Sequence, residues 1–282
     1  MQTFKELLTD YRWELAFVLF LILLEAGLSV LFPLFIGYAV DDAVNQQYQG
    51  AILLSGLGLA TLIIGAGKRF FDSRVYARIY QELGLTIGAK PKEPVSKRSA
   101  HLGFLSEAVE FFENSLPEII NGLIALVGTI LLIGSMNQTV FIGCMVSMIL
   151  VIIVYGASQK YTLKYHTSYN EELENRVDVL SQNSPISLNW HLRKVMKWNI
   201  RLSDLETINF SIVWLIMISF LVLSIFNSVD GSAMGHGTLF ALILYLFQYI
   251  EQVMTMPMFY QEGIRLSEIL RRLNKGSISV QA

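Results

Sequence analysis

The chain is poor in the residues that most often carry chemistry. It has a single cysteine, Cys144, inside an apolar run, which excludes a disulfide framework and predicts a small packing residue. Its four histidines (His101, His166, His191 and His236) are scattered, with neither metal-ligand spacing nor a Ser-His-Asp set. No metal, no cofactor and no enzyme is expected. Charged residues make up only 16% and the net charge is −2, so bulk charge gives no case for nucleic acid.

What is abundant is apolar surface. Hydrophobic residues are 53% of the chain and the mean hydropathy is +0.49, outside the range of a soluble globular protein. A spanning helix needs about 20 apolar residues, and six stretches qualify: 15–40, 51–67, 116–136, 139–157, 208–227 and 238–258. The connections Asp41–Gly50, Ser135–Gln138 and Asn227–Gly237 hold no Lys or Arg, so all 21 cationic residues can be placed on one side. Cationic loops stay in the cytoplasm. The expected topology is an integral multi-pass protein of the cell (inner) membrane with both termini cytoplasmic. The run after Trp13 is longer than a signal-peptide core and no cleavage site follows it, so it reads as a retained first span. Phe4, Leu7, Leu8 and Tyr11 fit a short interfacial helix leading into that span.

Helical patterning continues past the spans on the cationic side, over 68–115 and 158–207. Phe71, Val75, Ile79 and Leu83 keep helical spacing among charges, which predicts helices reaching into the cytosol rather than polar linkers. The breaks come at 84–99, with Gly84, Gly88, Pro91 and Pro94, and near Asn183–Trp190, with Pro185; the chain should reverse there. Glu107, Glu110 and Glu113 either pair with Arg74 and Arg78 or form a solvated face. Gly56 and Ala60 form a small-xxx-small pair in span two that would permit close helix contact.

Two groups of polar residues lie within spans. Glu25 has about ten apolar residues before it, with Ser29 one turn on. It reads either as a substrate or proton site or as a hydrogen-bonded group that holds helices together. In span six, Tyr245, Gln248, Tyr249 and Gln252 share a helix face, with Glu251 and Thr255 beside them. They either line a pathway or bond between helices. Pro33, Pro117 and Pro257 are expected to kink helices or to mark their boundaries.

This layout resembles the six-helix transmembrane domain of an ABC exporter, over nearly the whole chain. Leu23–Val44, with Pro33, Gly37 and a closing acidic residue, looks like that family's first helix. Phe111–Ile133, with Asn114, Leu116 and Pro117, resembles the start of its third, and Gly263–Asn274 the stretch leaving its sixth. The resemblance implies a single all-α domain over 1–282, homo- or heterodimerised in lipid, whose two intracellular loops dock on ATPase domains. Those loops would fall near Leu85–Arg98 and Pro185–Leu192, and span six would line the substrate pathway, giving Glu25, Ser29, Tyr245, Gln248, Tyr249, Glu251 and Gln252 as pathway candidates.

The ATPase motifs themselves are missing from these residues. A phosphate-cradling loop needs G-x-x-x-x-G-K-[ST]; the nearest string, Gly67-Lys68-Arg69, has Leu62 at the first glycine and Arg69 in place of the hydroxyl. The resemblance therefore implies a permease subunit served by a separate ABC ATPase chain. The second loop also departs from the family: Asp178–Trp198 has Pro185 and no glycine. Pro185, Ile186, Leu188 and Trp190 either present an apolar knob to a partner or leave Trp190 as a headgroup anchor. The alternative function is an ATPase-free scaffold, regulator or ion-driven carrier.

Overall fold

The structure, a computed structural model, describes residues 11–89, 94–182, 184–231 and 235–278. All regular structure among them is helical: α1 (Arg12–Val44), α2 (Gln49–Gly88), α3 (Val95–Glu110), a π-helical turn (Phe111–Ser115), α4 (Leu116–Met136), α5 (Gln138–Glu174), α6 (Arg176–Ser181), α7 (Pro185–Gly231) and α8 (His236–Ile278). Six helical stretches are long and apolar enough to cross a membrane, and each contains one expected span. α2, α5 and α7 run unbroken through the charged segments as well, so the amphipathic patterning there does encode helix. The interfacial helix expected before Tyr11 lies outside the described residues.

The chain divides into two compact units: Met1–Met136 with Ala233–Ala282, and Asn137–Ser232. In the first, α1 packs against α2, α4 and α8, and α3 against α2 and α8. The buried stripe of α1 steps by three and four: Val18, Ile22, Ala26, Val30, Pro33 and Gly37. Because lipid tails are as apolar as these side chains, close packing and interhelical bonds hold such helices together, and small residues set how near they come. Gly37 of α1 meets Gly237 of α8 backbone to backbone, Val30 packs on Gly128, and the Phe259 ring lies on Gly122. Gly56 faces open space, so the small-residue pair expected in span two makes no such contact.

Two aspartates close the end of this unit where α1 gives way to α2 and α8 begins. Asp42 accepts from the Gly50 amide at 2.5 Å, and Asp41 from the Gly237 amide at 2.6 Å. Each carboxylate thereby satisfies a donor at the start of a helix. The π-helical turn has a local cause as well. Pro117 has no N–H to give the Glu113 carbonyl, and the chain widens so that the Leu116 amide reaches Phe111 instead. Glu113 accepts from the Ser73 hydroxyl, Arg78 pairs with Glu14 and Arg74 turns back to the Phe70 carbonyl. Pairing of Glu107, Glu110 and Glu113 with Arg74 and Arg78 is thus not seen, while Glu107 and Glu110 are exposed.

In the second unit α5 and α7 form a two-helix seam with heptad-like buried positions. Val140, Cys144, Ser147 and Val151 face it from α5, and Val213, Met217, Phe220 and Ser224 from α7. Cys144 is buried there. The polar members are satisfied locally: the Asn209 amide donates to Ser158 Oγ at 2.9 Å, and the Ser147 hydroxyl to the Cys144 carbonyl at 3.0 Å.

Candidate functional site

Polar side chains gather in three places, each within one unit. The first lies between α1 and α2. Lys68 forms an ion pair with Glu25, both largely buried. Gly65 lies against the Glu25 carboxylate and lets it approach α2. Ser29 does not join it, since its hydroxyl bonds the Glu25 backbone carbonyl at 2.9 Å. Asp72 follows one turn after Lys68 and is also buried. Burial pushes its carboxyl up to about 6; Lys68 opposes the rise, and Glu113 and Glu25 add to it. Sequence reasoning singled out Glu25 but missed Lys68 and Asp72, which on spacing alone look like ordinary charges at the end of a span.

The second is the α8 stripe. Tyr245 and Tyr249 are wholly buried, and the Tyr245 hydroxyl donates to the Val30 carbonyl at 2.9 Å. Gln248 and Gln252 are half-buried on the same side, and the Gln252 side-chain oxygen lies beside Gly122. The Gln248 side-chain oxygen and that of Asn121 on α4 are buried without a hydrogen-bond partner among the described residues. Glu251 points the other way and is exposed. The stripe thus splits: its aromatic members serve packing against α1 and α4, and its carboxylate faces out.

The third is the end of the second unit at which α7 begins. The turn expected near Pro185 is there, and Pro185 is the first residue of α7. Proline suits this position because its missing N–H would be unpaired in any case. The Ser187 amide bonds Ser184 Oγ at 3.4 Å. Ile186 and Trp190 are 84% and 62% exposed, Pro185 is exposed and Leu188 half-buried. Lys194 Nζ sits 3.6 Å from the centre of the Trp190 ring and 3.8 Å from Glu172. Buried His191 meets Glu172 through Nδ1 at 3.1 Å, a bond that needs the proton on Nδ1. One carboxylate thus anchors both the histidine and the lysine that covers the indole. At the first loop, Leu85–Gly88 end α2, 90–93 lie outside the described residues, and Arg98 of α3 donates to the Gly88 carbonyl at 2.8 Å.

Among the described residues no group of three metal-ligating side chains converges. A family model for the ABC transporter transmembrane region matches residues 4–235, which takes in α1 to α7 and stops before α8. No curated protein matches the chain.

Proposed function

The chain belongs to the ABC transporter transmembrane region family, and from that premise we propose that it is a permease subunit moving a substrate across the cell membrane as a dimer, with ATP hydrolysis supplied by a separate ABC ATPase chain. Both termini lie in the cytoplasm in this reading. The observation that carries it is the tip of α7. Trp190 and Ile186 stand exposed at the cytosolic end of a long helix, with the indole held under Lys194 and Lys194 beside Glu172. A rigid, exposed aromatic is the kind of anchor that dominates protein interfaces. Pro185 and Leu188 would complete the knob. Glu251, facing away from the packed tyrosines, is the member of the α8 stripe best placed for a pathway. Glu25, Ser29, Tyr245, Gln248, Tyr249 and Gln252 would shape that pathway from behind by setting how α1, α4 and α8 pack.

The test is purification from native membranes in mild detergent, for wild type and for Ile186→Ala/Trp190→Ala. An ABC ATPase subunit at stoichiometric level with wild type, and at least tenfold less with the double variant, supports the reading. A dimer with no ATPase attached would refute it. That result would favour the second reading, an ATPase-free scaffold, regulator or ion-driven carrier, which the glycine-free Asp178–Trp198 segment supports.

A further inference from the structure

Where α1 meets α2, a single ammonium serves two carboxylates. Lys68 forms its ion pair with Glu25 across the gap between the helices. Asp72 lies one turn away on Lys68's own helix, on the same face and within reach of the same side chain. Yet Asp72 is 4% exposed, and its Oδ1 is buried with no hydrogen-bond partner among the described residues. Beyond it the helix enters an apolar cluster of Val75, Ile79 and Leu83. The pairing across the gap is built into the helix surface: a Cβ at Gly65 would stand 3.0 Å from Glu25 Oε1, so the glycine there leaves the carboxylate its place. With both acids ionised, one negative charge is left over in a buried place. A buried carboxylate with an unfilled oxygen is costly, and a proton removes the charge that makes it so.

The neighbouring charges do not supply the missing cation. Glu113 of the π-helical turn, which accepts from the Ser73 hydroxyl at 3.0 Å, acts on Asp72 as a further negative charge, and Glu25 does so from α1. Lys68 acts against them. Arg74 and Arg78 on the same helix are turned to the Phe70 carbonyl and to Glu14. Burial is the largest cause of the rise of the Asp72 carboxyl to about 6, where a proton is gained and lost close to neutral pH. Asp72 is 22 residues along α2 from Gly50, about 33 Å at 1.5 Å per residue. That is just past a hydrocarbon layer roughly 30 Å thick, so water on that side supplies the proton.

We propose that Glu25, Lys68 and Asp72 form a site for one proton: with the proton on Asp72, Lys68 bridges to Glu25 and fastens α1 to α2, and when the proton leaves, Lys68 is drawn along its own helix to Asp72 and the bridge slackens. The long lysine stem lets the ammonium change partner while the backbone stays where it is. The proton passes between Asp72 Oδ1 and water, and no other covalent bond changes. All three residues belong to the first unit, so the site needs neither a dimer nor an ATPase and stands or falls apart from the functional reading.

The full chain, carrying carbon-13 at its aspartate carboxyls, is titrated in lipid nanodiscs and followed by infrared difference spectroscopy. The expected result is one aspartate that loses its proton with a midpoint near 6. That transition should be missing from Asp72→Asn, whose amide stands in for the protonated acid and so keeps the fold. Glu25→Gln releases Lys68 to Asp72 and should lower the midpoint by at least ~0.5 on the pH scale, whereas Lys68→Met removes the cation and should raise it by at least ~0.5. A second readout is the coupling between Glu25→Gln and Lys68→Ala in detergent unfolding, which should be at least about twofold larger near pH 5 than near pH 8. If no transition disappears with Asp72→Asn, the proton site is overturned. If the transition belongs to Asp72 but Glu25→Gln leaves its midpoint in place or raises it, the change of partner is overturned. Equal coupling at the two pH values overturns it too.

Discussion

Replacing Lys68 with alanine isolates Glu25 between two helices, and the cost follows from where the pair sits. The lysine and glutamate side chains are 10% and 23% exposed. From the Asp42–Gly50 hydrogen bond at the end where α1 gives way to α2, Glu25 is 17 residues back along α1 and Lys68 is 18 residues along α2. At 1.5 Å per residue both lie about 26 Å from that end, near the far edge of a hydrocarbon layer roughly 30 Å thick. Breaking a fully buried pair from one side costs about 3–5 kcal/mol, because a charge is left without its partner. The partial exposure of Glu25 and its closeness to the interface let water reach it, which lowers the expected loss for Lys68→Ala to about 2–3 kcal/mol. Glu25→Gln should cost less, about 1–2 kcal/mol, because the long lysine stem can carry its ammonium to the interface. Unfolding in mild detergent titrated with sodium dodecyl sulfate, followed by far-ultraviolet circular dichroism, gives both values. The double variant should fall short of their sum by at least ~1 kcal/mol, the signature of a direct interaction. Additivity within ~0.5 kcal/mol would show that the pair does not hold α1 to α2.

Other substitutions test the packing directly. Gly237→Ala would push a methyl group into the Gly37 carbonyl and the Asp41 carboxylate; a loss of about 1–3 kcal/mol is expected in the same assay. Gly56→Ala, in open space, should instead gain up to ~1 kcal/mol from helix propensity. Equal effects at the two glycines would refute the close approach of α1 and α8. Tyr245→Phe removes the bond to the Val30 carbonyl and should cost about 1–2 kcal/mol with little change in helix content. Asp72 gives a pH dependence. Its carboxyl is raised from 3.8 to about 6, so the folded state binds a proton more readily than the unfolded state. Stability from this group is therefore greatest below about pH 4 and falls as pH rises toward 6, by at most ~3 kcal/mol. Asp72→Asn should flatten that slope, and an unchanged slope in the variant would place the titrating group elsewhere.

Much of the fold is legible because spanning helices are a property of local composition. A run of apolar residues long enough for the hydrocarbon layer must be helical, since lipid offers no partner for a bare backbone. The charged extensions were legible for a related reason: Val75, Ile79 and Leu83 keep helical spacing, and all three are buried. The candidate residues were less legible. Glu25 was conspicuous as a carboxylate in an apolar run, but nothing in its neighbourhood along the chain names Lys68, which is 43 residues away. The α8 stripe had the right period, yet period alone does not say whether a face meets another helix or an open pathway. Tyr245 and Tyr249 are buried against neighbouring helices, and Glu251, one position off the stripe, is exposed. The small residues that matter, Gly37, Gly122, Gly128 and Gly237, carry no signal apart from that of Gly56, because each owes its role to whatever arrives opposite it.

The sequence by itself determined the number of spans, their extents and the helices that prolong them, since these depend on the polarity and spacing of neighbouring residues. Only the tertiary structure decided which polar groups meet. Glu25 finds Lys68, Asp41 caps the helix that opens near Gly237, and Tyr245 reaches the Val30 carbonyl. Each of those pairs joins different helices, and the angle and separation at which helices pack are set by the small and large side chains between them.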